Sequence, residues 1–113
     1  MNEIKQLDDF FESTNSIKNE KFVLFEIQGR GYIRVSKLQE VYHKDIVNRF
    51  AAELQGTELT YSIQGGGRIN FKRGCENITL LFYDYSIKYG KFDKQLLEKT
   101  LKELNEDIKF IIH

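Results

Sequence analysis

The chain has no proline, one cysteine, two histidines and no excess charge of either sign. Each shortage excludes something. Without proline, and without a low-complexity tract, nothing marks a linker between folded units. Cys75 stands alone, so no internal disulfide forms and a reducing, cytoplasmic setting is expected. With only His43 and His113 as histidines, a Cys/His zinc site is excluded and no metal is expected. Seventeen basic residues balance seventeen acidic ones, which argues against general nucleic-acid or membrane-surface binding. No apolar run reaches the length of a membrane span, and no signal peptide is visible. The 113 residues suit one domain with a single core.

What the chain does have is aromatic and patterned. Nine Phe and six Tyr supply the large core side chains. Ile4, Leu7, Phe10 and Phe11 recur at roughly helical spacing, and the polar stretch from Ser13 to Glu20 reads as a loop. Residues 1–20 are therefore taken as an extension with a short helix, and 21–113 as the domain. Lys21–Ile27 is a nearly continuous apolar run, as in a strand buried on both faces. A Gly-rich turn separates it from a second strand, Tyr32–Val35. At about 100° per residue, His43, Ile46, Val47, Phe50 and Leu54 form one stripe of a helix. Thr57–Gln64 and Arg68–Lys72 alternate with period two. Ile78–Tyr83 is a strongly apolar strand. Phe92, Leu96, Leu97, Leu101 and Leu104 mark a second helix, and Asp107–Ile112 a last strand. This order predicts an α/β (α+β) single domain, with a mixed sheet of about six strands flanked by two main helices.

Three of the eight glycines stand together, at Gly65-Gly66-Gly67, directly before Arg68. By pattern alone this is a hairpin turn. The alternative is a backbone wall that lets another group come close, with a cation beside it. His43 lies near the start of the first helix on its apolar stripe. A lone histidine there is more often structural, although imidazole titrates near neutrality and carries two distinct nitrogens. Lys21 and Arg68 read first as solvated charges. Tyr85–Gly90 follows a central-looking strand and ends in glycine, a form that can turn backbone amides toward an anion. No phosphate-binding P-loop, dinucleotide fingerprint or zinc-protease motif is present.

Four of these stretches in this order resemble the protein phosphohistidine phosphatases of the janus/ocnus family. They are KFVLFEI at 21–27, VYHKDI at 41–46, QGGGRI at 64–69 and YSIKYG at 85–90. The resemblance implies an enzyme of small α/β fold, working without metal or cofactor. It would remove phosphate from histidine, and in some cases lysine, side chains of proteins. It implies His43 as nucleophile or general base, steadied by a hydrogen bond from Nδ1–H to the Gly65 carbonyl. Lys21 would neutralise the phosphate. Amides of the loop from Ser86 through Ile87 to Lys88 would hold its oxygens, and Arg68 would support the site. Lys88 departs from the small residue usual at its position. The partners so implied are a phosphohistidine-containing protein and phosphate, met by a monomer. A non-enzymatic phosphoprotein-binding module built on the same residues is the alternative.

Overall fold

The computed structural model describes residues 4–8, 15–104 and 108–113. The elements run β1 (Ser16–Ile27), β2 (Arg30–Val35), α1 (His43–Glu53), β3 (Ser62–Arg73), β4 (Ile78–Tyr83), α2 (Lys94–Leu104) and β5 (Ile108–Ile112). The five strands make one sheet in the order β2-β1-β3-β4-β5. All neighbours are antiparallel except β4 and β5, which are parallel. The fold is thus α+β with a mixed sheet and two helices, as the pattern predicts.

The connectivity explains where the helices go. Because β2 and β3 are both antiparallel to β1, they are parallel to each other, and α1 is the crossover between them. Helix α2 is the crossover from β4 to β5. Both crossovers move the same way across the sheet, but they start from oppositely directed strands. Two right-handed connections of that kind land on opposite faces. Accordingly α2 contributes Leu97 and Leu101 to a cluster with Phe22, Leu24, Ile33, Ile69, Phe71, Leu80 and Phe82. Helix α1 contributes Ile46, Val47 and Phe50 to a second cluster with Val23, Phe25, Ile27 and Tyr32. Neighbouring residues of β1 enter different clusters, which is the period-two alternation of a strand buried on both faces.

Three readings of the sequence change. The predicted strands 57–64 and 68–72 are one strand, β3, running straight through the three glycines. Hence there are five strands among the described residues, not six, and Leu59 and Tyr61 pack on the α1 cluster from the approach to β3. Residues 16–20, read as loop, are strand: Ser16 and Ile17 pair with Lys72 and Phe71. Their exposed polar side chains hid that pairing. The predicted N-terminal helix is absent over 4–8, and Phe10 and Phe11 lie outside the described residues. Residues 4–8 instead lie along the free edge of β2. The Ile33 amide donates to the Gln6 carbonyl at 2.7 Å, and the Val35 amide to the Asp8 carboxylate at 2.5 Å. An edge strand covered in this way is closed to further pairing.

Helix α1 is tied to that edge by charge as well as by apolar contact. Arg34 is buried and donates to both carboxylate oxygens of Glu53, at 2.9 and 3.0 Å. Its guanidinium lies over the Phe50 ring. Arg49 donates to Asp8 and Glu40. Burial pushes the Asp8 carboxyl above its ordinary range, against the pull of both arginines. Helix α2 starts on Asp93, whose carboxylate accepts from the Leu96 amide, the usual role of an N-cap aspartate. Among the described residues no helix is long and apolar enough to cross a membrane.

Candidate active site

The site begins as a row across the sheet. Lys21 on β1 pairs with Arg68 on β3, and Arg68 pairs with Tyr83 on β4. Paired residues share a face, and Lys21 lies two residues from Val23, so this row is on the α1 side. Two cations directly opposite each other repel. Asp84 offsets part of that repulsion, its carboxylate 3.4 Å from Arg68 Nε. Arg68 Nη1 also donates to the Asn19 carbonyl. Among the described residues Lys21 has no acidic partner.

One step along the same face, Val23 pairs with Gly66. A Cβ at Gly66 would stand 2.6 Å from the Phe22 carbonyl oxygen and 3.0 Å from Cδ2 of His43. The missing side chain is therefore the space into which the imidazole fits. Gly65 serves a different neighbour. Two residues of β3, Gln64 and Gly65, face the single residue Leu24 between the pairs Val23–Gly66 and Phe25–Ile63, which is a β-bulge. Gly65 takes φ +92° there, and a Cβ would collide with the Lys91 carbonyl. A Cβ at Gly67 would lie 2.5 Å from the Tyr83 carbonyl oxygen.

His43 is the first residue of α1. The Asp45 carboxylate accepts from the Tyr42 and Val41 amides, at 2.9 and 3.1 Å, and so fixes the helix start. Ile46, fully buried, anchors the same turn to the sheet. The ring's Nε2 lies 3.0 Å from the Gly67 carbonyl oxygen. A carbonyl can only accept, so Nε2 carries the proton and the lone pair stays on Nδ1. The Cδ2–Nε2 edge rests on the glycines, and ring geometry turns Nδ1 away from them. Burial pulls the His43 pKa below its ordinary value. The Gly67 hydrogen bond opposes this, the charges of Lys21 and Arg68 add to it, and Asp84 opposes it weakly. The net shift favours the neutral imidazole.

The far wall is the segment from Asp84 to Gly90. Asp84 takes φ +66°, redirecting the chain as β4 ends. Ser86 and Gly90 exchange backbone hydrogen bonds at 3.2 and 2.8 Å, and the buried Ser86 hydroxyl accepts from the Tyr89 amide. The Gly90 carbonyl also accepts from the Gly66 amide, docking the loop on β3. Among the described residues the amides of Ile87 and Lys88 have no acceptor. The cleft, open to solvent on one side, has a volume of about 460 Å³, and its lining holds four cations, Lys21, Lys44, Arg68 and Lys88, against one carboxylate, Asp84. No group of three or more His, Cys, Asp or Glu able to hold a metal occurs among the described residues.

Lys21, His43, Arg68, Ser86, Ile87 and Lys88, each singled out in the sequence, thus line one cleft. Gly65 does not line it, and the carbonyl near the imidazole is that of Gly67, reached through Nε2 rather than Nδ1. The bulge is the physical reason, because it turns Gly65 toward Lys91. The Ser86 amide is already donated to Gly90, which leaves Ile87 and Lys88 as the amides able to meet an anion. Arg34 belongs to the buried charge network, away from the cleft lining. Asp45 and Asp84 carried no sign of their roles beyond the spacing of Asp45 from the helix start, where a carboxylate three residues past the cap is a recognisable pattern.

Comparison with curated proteins finds no match. The family model described as the Janus/Ocnus family matches residues 14–109, a span that holds β1 through α2 and every residue lining the cleft. The chain belongs to the Janus/Ocnus family, the family of the phosphohistidine phosphatases.

Proposed function

We propose that the protein hydrolyses phosphohistidine in proteins, with phospholysine as a second substrate, and that His43 carries the reaction. One observation supports this most: a neutral imidazole, anchored through one nitrogen on the Gly67 carbonyl, beside a pair of cations that Asp84 offsets only in part, in one cleft. The phosphoryl oxygens meet Lys21, Arg68 and the amides of Ile87 and Lys88. Charge-assisted hydrogen bonds contribute about 1.5–3 kcal/mol each. Phosphoryl transfer needs such positioned charge more than elaborate covalent chemistry.

The Nδ1 lone pair then serves one of two steps. As a nucleophile it forms a bond to phosphorus while the substrate's N–P bond breaks. The leaving imidazole takes a proton, and water later releases phosphate from His43. As a general base it takes a proton from the attacking water instead, the new O–P bond forms as the N–P bond breaks, and the leaving nitrogen takes up a proton from water. A phosphoryl group trapped on His43 by rapid acid-free quenching marks the first route, and its absence during steady turnover marks the second. Either way the charges come from side chains and amides, so hydrolysis is expected to persist in excess chelator.

The test is phosphate release from a phosphohistidine protein by the parent and by His43→Ala, both with chelator. The expected result is release by the parent and a loss on the order of 10²–10⁴-fold in the variant. Tight binding by the parent without release would instead make the protein a phosphoprotein-binding module. Release by His43→Ala at the parent's rate would remove His43 from the mechanism.

A further inference from the structure

Among the described residues six large hydrophobic side chains are exposed: Leu38, Val41, Tyr42, Tyr85, Ile87 and Ile111. All but Ile111 lie in the two connections that meet at the cleft, β2 to α1 and β4 to α2. Tyr42, Tyr85 and Ile87 line the cleft itself. Leu38 and Ile87 are almost fully exposed, at 101% and 95%. Both connections are held in place from below by polar contacts. Asp45 fixes the amides of Val41 and Tyr42, Glu40 closes a turn onto Lys37, and Ser86 is pinned to Gly90. The apolar side chains are thus presented on braced backbone.

We propose that this rim is a docking surface for a folded phosphoprotein, whose phosphorylated side chain enters the cleft while apolar side chains around it cover the rim. The inference rests on the phosphohydrolase reading above and concerns how that site chooses its substrate. Two observations commit the occupant. The cleft is complementary in charge to a phosphoryl group, with four cations against one carboxylate, and a phosphoryl group carries close to two negative charges. Around that charge the cleft also presents Tyr42, Tyr85 and Ile87, all exposed, and exposed Val41 and Leu38 precede Tyr42 in the same connection. A free phosphoamino acid satisfies the first feature and leaves the second in water. Apolar surface gathered in one place and bordered by polar residues marks a protein-binding site, and tyrosine is among the side chains that anchor such contacts.

The experiment titrates His43→Ala, which binds without consuming its ligand, with two probes. One is free phosphohistidine. The other is a folded histidine-containing carrier protein phosphorylated with phosphoramidate. The same titrations are run on His43→Ala carrying also Leu38→Ser, and on His43→Ala carrying also Val41→Ser. The expected result is a Kd for the phosphoprotein at least tenfold weaker in both rim variants, with the Kd for free phosphohistidine within twofold. Equal affinity of rim variants and His43→Ala for the phosphoprotein overturns the proposal, and so does equal weakening of both probes. Phosphate release by the parent is recorded separately. A binding contrast without release keeps the surface and removes the hydrolase; release without a contrast keeps the hydrolase and removes the surface.

Discussion

The two faces of the sheet are built by different rules. The α2 face carries an apolar cluster across β2, β1, β3 and β4, with partly buried side chains of β5 added at the edge. The α1 face is apolar only over β1, β2 and the start of β3. Beyond that border it carries Lys21, Arg68 and Tyr83 in a row, and at the border the sheet gives up a side chain altogether, at Gly66. Beneath α1 lies a buried set of ion pairs joining Asp8, Arg34, Arg49 and Glu53. One face is made for cohesion. The other keeps a like-charge pair, a helix start and a bare stretch of backbone together, at a cost the first face offsets. Retained repulsion of this kind is what an anion site needs before the anion arrives.

The contrast can be broken at its strongest points first. Leu101→Ala removes a fully buried side chain from the α2 face and is expected to cost about 2–5 kcal/mol in urea unfolding, with the activity of the folded fraction unchanged. Arg34→Ala takes the buried guanidinium away from buried Asp8, which keeps Arg49, and from partly exposed Glu53, and is expected to cost about 3 kcal/mol. If Arg34→Ala costs less than Leu101→Ala by a wide margin, the charge network is not what holds α1. Gly66→Ala puts a methyl against the Phe22 carbonyl as well as the His43 ring; it is expected to cost about 1–3 kcal/mol as an overpacked site and to reduce turnover more than tenfold, because the imidazole is also displaced. A Gly66→Ala protein that keeps its turnover would show that the ring does not use this space.

How much of this was legible before folding differs between the faces in the same way. The α2 face could be read almost entirely, because Leu96, Leu97 and Leu101 repeat at helical spacing and Ile78–Tyr83 is a dense apolar run. The α1 face could be read only where it is apolar. Glycines carry no periodicity, so β3 looked like two strands around a turn. Its bulge, invisible in the sequence, moved the contact with the imidazole from Gly65 to Gly67. The polar start of β1 was missed because Ser16, Lys18 and Asn19 are polar and exposed. His43, Lys21, Arg68 and the loop at 85–90 were found through the family resemblance, since each alone reads as an ordinary surface or core residue. Asp84 was not found, for its role depends on a left-handed backbone angle that no local residue type demanded.

Smaller effects sharpen the electrostatics of the site. Lys21→Ala is expected to lower kcat/KM about 10–100-fold through the loss of one charge-assisted contact. It also carries a sign. The Lys21 charge holds the His43 pKa down, so removing it moves the acid limb of the pH–rate profile upward, toward about 6.5. Asp84→Asn acts the other way and more weakly, because Asp84 raises that pKa; its acid limb moves downward. A profile in which both variants shift alike would mean that the limb belongs to another group.

The central claim is that His43 stands neutral with its proton on Nε2, bound to the Gly67 carbonyl, and its lone pair on Nδ1. Nitrogen-15 NMR of the imidazole across a pH titration reads this directly. The account predicts a protonated Nε2 and a bare Nδ1 at pH 7, with a pKa below about 6.5. A ring protonated on both nitrogens at pH 7, or one carrying its proton on Nδ1, would contradict it.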